Sequence, residues 1–386
     1  MAAIEPPAAA VGPPIDLPVI DISNPHDPAV GKAMIDAAAK FGFFYVDSRG
    51  SDFSAEDVER MFALSKKFFS SPLEEKASVK ISPNNRGWSG MHTETLDPEH
   101  QRKGDFKEAM NFGEFKDGKA QQPLPPSFAA HEAELGRFME LCNRTCARVL
   151  ELLALGLGIP SDFFTSRHDP SKGTTGSILR LLYYPSITSP ATAGYQHDVD
   201  VRAGAHSDYG SITLLFQRPG QPGLEILTPE GTWAPVPVQP GKAASSDGEQ
   251  EQPPQQQNGT SSSSTGQSFP PILINIGDLL SYWTDGLLKS TVHRVVFPLS
   301  EQRSPNSQDR YSIVFFCHPV DQTELVPVPS ELVDAHRRQN ATRGGKVGFG
   351  GGAGDLEPGK RALTAREHLA SRLAATYGFK KEEYSA

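Results

Sequence analysis

Between residues 178 and 317 the chain is cut into short apolar segments, each too brief for an ordinary helix and each bounded by Gly or Pro. Ile178–Tyr184, Ile212–Gln217, Leu224–Thr228, Ile272–Ile276, Thr291–Phe297 and Arg310–Cys317 are rich in β-branched and aromatic residues, which suit a pleated, half-buried surface. A run of antiparallel strands of this kind predicts a jelly roll (a double-stranded β-helix), a double-sheet fold whose mouth commonly holds a site. The fold class expected is mainly β with flanking helices.

Helices are expected at the edges of this core. Val58, Met61, Phe62, Leu64, Phe68 and Phe69 step at near-helical spacing through 54–70, where Pro72 ends the run. Leu135, Phe138, Met139, Cys142, Cys146, Val149, Leu150 and Leu153 mark the buried stripe of a long scaffold helix over 129–155. A helix through Gly31–Lys40 lies between short strands at 17–21 and 41–46, and a last helix covers Ala362–Tyr377. From about 82 to 126 the pattern dissolves into Gly, Pro, Asn and charge, which reads as a binding lid or an irregular excursion. The Ala/Pro-rich start (1–16) and the Gln/Ser-rich tract near 239–268 have too little apolar surface to order themselves. The organisation expected is an N-terminal region (17–135) followed by the jelly-roll region (136–386), with its core at about 174–322.

The chemistry concentrates in one stretch, Gly204-Ala-His-Ser-Asp-Tyr-Gly-Ser-Ile-Thr-Leu-Leu-Phe-Gln217, which sets His206 and Asp208 two positions apart at the mouth of an apolar strand. Alternate strand residues point the same way, so imidazole and carboxylate can converge. Two imidazoles and one carboxylate on one side of Fe(II) leave three coordination positions open. The missing imidazole is assigned to His293 in Ser290-Thr-Val-His-Arg-Val-Val-Phe297, 85 positions after Asp208. A lone strand histidine is usually a satisfied core or surface group; this one gains weight from what accompanies it. Seventeen positions later Arg310 and Ser312 share one face of another apolar strand. The planar guanidinium fork suits a carboxylate, so this pair would grip the distal carboxylate of 2-oxoglutarate while its keto-acid end chelates the iron.

His206-x-Asp208, His293 and Arg310-x-Ser312, in this order and spacing, resemble the isopenicillin N synthase-like superfamily of iron- and 2-oxoglutarate-dependent dioxygenases. Leu-Pro-Val-Ile-Asp21, Phe-Gly-Phe-Phe-Tyr-Val46, Arg180-Leu-Leu-Tyr-Tyr-Pro185, Ile276-Gly-Asp-Leu-Leu280 and Lys289-Ser-Thr-Val-His-Arg294 match further landmarks of that family. The likeness covers about 17–377, and within the superfamily it runs nearest to fungal thymine 7-hydroxylase-like dioxygenases. The resemblance implies a reaction that uses Fe(II), O2 and 2-oxoglutarate, releases succinate and CO2, and oxidises, by preference hydroxylates, a small organic molecule. It further implies that Tyr184 helps to bind the 2-oxoglutarate carboxylate. Phe316 and Arg180 fall where the thymine enzymes contact substrate, against the plainer reading of a core Phe and a structural Arg. Two other readings stay open: an oxidase that needs iron without 2-oxoglutarate, and a non-catalytic binding relative.

Other function classes lose their anchor. With 37 basic against 46 acidic side chains the net charge is −9, so there is no cationic footprint for nucleic acid. No stretch approaches the ~20 apolar residues a membrane span needs, and the start lacks a signal-peptide pattern, so the expected address is cytoplasmic. Three cysteines without zinc-type spacing read as buried free thiols. A second polar cluster, His197, Asp198 and Asp200, reads as a solvated loop. The partner expected is a small-molecule substrate, and the oligomeric state is left open.

Overall fold

The computed structural model describes residues 11–197, 199–241, 269–302, 304–341, 352–355 and 361–377. Most of the Ala/Pro-rich start, nearly all of the Gln/Ser-rich tract and Asp198 lie outside them.

Among the described residues fourteen strands form in chain order: β1 (Val19–Ile20), β2 (Phe43–Val46), β3 (Gly87–Ser89), β4 (Glu108–Phe112), β5 (Phe115–Lys116), β6 (Lys119–Ala120), β7 (Ile178–Tyr184), β8 (Ala203–His206), β9 (Ile212–Gln217), β10 (Leu224–Leu227), β11 (Trp233–Pro235), β12 (Ile272–Ile276), β13 (His293–Val295) and β14 (Arg310–Cys317). Eight of them make a large sheet in the order β1-β2-β12-β9-β14-β7-β4-β3, and four make a smaller one in the order β11-β10-β13-β8. Pairing is antiparallel throughout except for β1 with β2. This is the jelly-roll core with flanking helices that the strand pattern predicts.

The alternation of β14 shows how the layers are built. Tyr311, Ile313, Phe315 and Cys317 face a large core under the helices, while Val314 and Phe316 face a smaller core between the sheets. The helix Glu132–Gly156 buries Leu135, Phe138, Cys142, Cys146, Val149, Leu150 and Leu153 against the outer face of the large sheet. It crosses the helix Pro28–Lys40 at a glycine pair, where a Cβ on Gly156 would collide with the Gly31 carbonyl oxygen. The close crossing therefore requires small residues on both sides. All three cysteines are free and buried.

The segment 82–126 departs from its loop-like reading. Within it β4 is wholly buried and joins β7 in the large sheet. Its charged first residue, Glu108, hid the strand; the partners that satisfy it lie elsewhere, Lys76 Nζ at 2.9 Å and Trp88 Nε1 at 2.8 Å. The cluster at 197–200 also differs from expectation. His197 is exposed, whereas Asp200 is buried, accepts from the Gln196 amide and pairs with Arg102 at 3.5 Å. It anchors a turn.

Candidate metal centre

The facing edges of the small sheet bring two histidines opposite each other: β13 pairs β8 with His293 in register with His206. Asp208 follows β8 in the turn into β9, held there by the Asp278 amide, which donates to the Asp208 carbonyl at 2.7 Å. Asp208 Oδ1 lies 3.8 Å from His206 Nε2 and 3.7 Å from His293 Nε2, and the three ligand atoms all fall within 4.8 Å of one another. Among the described residues this is the one group of such side chains arranged to hold a metal ion.

Each donor is oriented from behind. His206 Nδ1 contacts the Gly204 carbonyl at 2.7 Å and His293 Nδ1 the Thr291 carbonyl at 3.1 Å. A carbonyl can only accept, so both protons sit on Nδ1 and both Nε2 lone pairs face the common point. Thr213 Oγ1 and Asn275 Nδ2 each donate to Asp208 Oδ2 at 2.7 Å, which leaves Oδ1 for the metal. Those two residues are themselves paired across β9 and β12. Burial and then the neighbouring His293 pull His206 down to about 3. Burial pushes the Asp208 carboxyl up, but the two imidazoles and the donors Asn275 and Thr213 outweigh it and hold it below its ordinary value. A neutral His206 and an ionised Asp208 are the states in which these groups can ligate a ferrous ion.

Two cavities meet at this point. The first runs from His206, Asp208 and His293 to Arg310, Ser312 and Tyr184, with Leu182, Leu215, Leu224 and Val295 as apolar walls. Arg310 is only 2 % exposed at its far end. Its Nε donates to the Gln221 carbonyl at 3.2 Å, while Nη1 and Nη2 reach Ser312 Oγ and Gln217 Oε1 only at 3.4 Å, and the guanidinium lies 5.0 Å from the Tyr184 ring centroid. No carboxylate among the described residues stands within ion-pair distance of it. Burial lowers its pKa, the mark of a cation that lacks a full counter-charge.

The second cavity shares His206, Asp208, Arg180 and Phe316 with the first and is closed by His318, Leu369 and Leu373. Arg180 Nε donates to Asn111 Oδ1 at 2.8 Å and Nη1 pairs with Glu94 at 3.4 Å, its guanidinium 5.6 Å from the Phe316 ring centroid. Arg180 thus has structural partners as well as a place in the cavity wall.

Every residue singled out in the sequence as a metal, co-substrate or substrate contact lies in the wall of these cavities. Several others there were missed. Asn275 was legible as one amide in the apolar strand Ile272-Leu-Ile-Asn-Ile276, but Lys107 carried no signal. It lines the first cavity and is buried with Asp105 and Glu94, the latter at 3.1 Å. Burial opposes its charge, and these two carboxylates outweigh that and raise its pKa.

The chain is similar to known proteins. The model of the 2OG-Fe(II) oxygenase superfamily matches residues 175–253 and 254–319, and that of the non-haem dioxygenase N-terminal region (named for morphine synthesis) matches residues 17–130. UPF0676 protein C1494.01 of Schizosaccharomyces pombe is 33 % identical over 95 % of this chain and 94 % of its own length. The chain belongs to the 2OG-Fe(II) oxygenase superfamily. The 2-oxoglutarate-dependent dioxygenase caaD of Aspergillus niger is 28 % identical over 75 % of this chain and 82 % of its own. Full-length thymine 7-hydroxylase of Neurospora crassa in complex with alpha-KG superposes with a TM-score of 0.66 at 26 % identity, over 93 % of this chain and 96 % of that one, and has also been solved with thymine. Fe(II), 2-oxoglutarate and O2 are accordingly the cofactor and co-substrates of an enzyme of this class. Among the described residues no helix is long and apolar enough to cross a membrane.

Proposed function

We propose that this isopenicillin N synthase-like chain hydroxylates a small organic molecule, with His206, Asp208 and His293 holding Fe(II) and Arg310, Ser312 and Tyr184 holding the distal carboxylate of 2-oxoglutarate. The observation that carries this reading is the pairing, in one cavity, of three converging metal donors with a buried guanidinium that has no acidic partner. A ferrous site with a 2-oxo acid supplies oxidative decarboxylation to succinate and CO2 coupled to C–H oxidation.

The protein's own part is geometric and electrostatic. Gly204 and Thr291 fix the histidine tautomers, and Thr213 and Asn275 fix the carboxylate. Leu182, Leu215, Leu224 and Val295 keep water from the co-substrate. Arg310 neutralises the distal carboxylate, with Ser312 and Tyr184 completing its polar contacts. Phe316 and Arg180, at the junction of the two cavities, are our candidates for substrate contact. The Neurospora crassa enzyme has been solved with thymine, which makes pyrimidines a first set to screen. Three buried free thiols suit a reducing compartment, and we place the enzyme in the cytoplasm.

The test is stoichiometric Fe(II) binding together with succinate release that depends on 2-oxoglutarate and rises with substrate. Oxygen consumption without succinate would instead support a 2-oxoglutarate-independent oxidase, and failure to bind iron a non-catalytic relative.

A further inference from the structure

The inward face of β14 does not end at Phe316. Arg310, Ser312, Val314 and Phe316 line the first cavity, and the same two-residue alternation carries the chain one residue past the strand to His318, which lines the second. His318 is 5 % exposed. Its backbone amide is held by Ser177 Oγ at 3.0 Å, but among the described residues neither ring nitrogen has a hydrogen-bond partner. Its ring lines the second cavity, where a bound molecule can reach it and supply the missing hydrogen bonds.

The surroundings are shaped to admit this ring. Gly176 and Gly210 flank it: a Cβ on Gly210 would stand 2.9 Å from Nε2, and one on Gly176 3.3 Å from Nδ1. Neither glycine has a positive φ; a Cβ on Gly210 would also stand 2.7 Å from the Cys317 carbonyl oxygen and one on Gly176 2.6 Å from Leu369 Cδ2, so ring, backbone and last helix pack closely around both positions. Burial, then His368 and His168, pull His318 down to about 3. At neutral pH it is therefore uncharged and offers one donor and one acceptor. Of the charged side chains that line this second cavity, Arg180 is paired with Glu94 and Asp208 is a candidate metal ligand. An ionic substrate would find no spare counter-charge there.

We propose that His318 is a substrate-contacting specificity residue, whose ring nitrogens hydrogen-bond an uncharged small molecule carrying amide-like or hydroxyl groups, opposite the metal from the 2-oxoglutarate clamp. The proposal rests on the reading of the iron and 2-oxoglutarate sites given above and deepens it.

The experiment uses the full chain with Fe(II), 2-oxoglutarate and O2, and measures succinate release stimulated by three probe sets. These are uncharged amides and lactams (uracil, 2-pyridone, benzamide), carboxylates (benzoate, cinnamate) and an apolar arene (toluene). Stimulation is expected from the uncharged polar set. For its best member, His318→Leu should raise KM about tenfold, the loss of one or two hydrogen bonds, with the KM for 2-oxoglutarate unchanged. His318→Gln, which restores a donor and an acceptor, should recover most of the loss. A KM within twofold of wild type in His318→Leu overturns the proposal, as does stimulation by carboxylates or toluene alone, or by no probe. If His318→Leu does not fold, His318→Phe, which keeps a flat ring without donor or acceptor, replaces it, and a KM within twofold of wild type again overturns the role. Absence of any 2-oxoglutarate turnover without substrate, together with absence of 2-oxoglutarate binding, sinks the underlying reading instead.

Discussion

Replacing Arg310 by Gln isolates the co-substrate clamp from the metal. Arg310 is 2 % exposed, and its hydrogen bonds to Gln221, Ser312 and Gln217 at 3.2–3.4 Å all go to neutral oxygens, so among the described residues no carboxylate pairs with it directly. Truncating one partner of a buried, hydrogen-bonded charge pair costs about 2–5 kcal/mol. At about 1.4 kcal/mol per factor of ten, and with the Gln amide retaining one hydrogen bond, the Kd for 2-oxoglutarate should rise about 100-fold. Thermal unfolding offers an independent check. At a 2-oxoglutarate concentration of about 100 times the wild-type Kd, the ligand stabilises wild type by about 2.7 kcal/mol, but the variant by only about 0.4 kcal/mol. The ligand-free variant should be no less stable than wild type, because a buried cation without a counter-ion has been removed. Titration of 2-oxoglutarate by calorimetry, with iron content measured in parallel, reads the affinity change. A Kd within threefold of wild type, or a loss of iron that tracks the loss of 2-oxoglutarate binding, would refute the assignment.

Asp208→Ala or His206→Ala should abolish both stoichiometric Fe(II) binding and substrate-dependent succinate, checked by metal analysis and product assay; full retention of either signal would remove the ligand assignment. Thr213→Val combined with Asn275→Leu leaves the ligands in place but frees Asp208 Oδ2 from both donors, and should weaken Fe(II) affinity about 10–100-fold in a competition titration. His168 and His368, both buried, are pulled from 6.5 down to about 4, chiefly by burial. Their folded-state pKa lies below the unfolded one, so their contribution is complete above about pH 6.5 and is lost as pH falls toward 4, by up to about 3 kcal/mol each. Denaturant unfolding across that window measures it, and His168→Gln, which removes one titrating group, should flatten the slope.

The strands that carry the metal and co-substrate residues were legible because their apolar runs are continuous and their polar members stand out by position: His206, Asp208, His293, Arg310 and Ser312 each interrupt or border a β-rich segment. β4 was not, since Glu108 and Lys107 make it read as a charged loop until Lys76, Trp88, Asp105 and Glu94 are brought to them by tertiary packing. Asp200 was misread for the same reason, its partner Arg102 lying almost a hundred positions away. Local pattern reports which face of a strand is apolar; it does not report which buried charge will find a mate.

That distinction also separates the reaction from its substrate. The inward face of β14 runs roughly 20 Å from Arg310 to Phe316 at about 3.3 Å per residue, with the candidate ligands His206 and His293 on the smaller sheet and Asp208 in the turn that follows β8. One end of the strand carries Arg310 and Ser312, the proposed grip on a co-substrate common to the whole class, and so follows a pattern a sequence can announce. The other end, with His318, meets Leu369 and Leu373 from the last helix and residues of 82–126 such as Asn85 and Leu96, segments with no regular period. Because the two ends are far apart on a rigid sheet, changes at Phe316 or His318 can alter which molecule is oxidised while Arg310, Ser312 and the three metal ligands keep their geometry. A fold built this way can hold its oxidising chemistry fixed and vary its substrate.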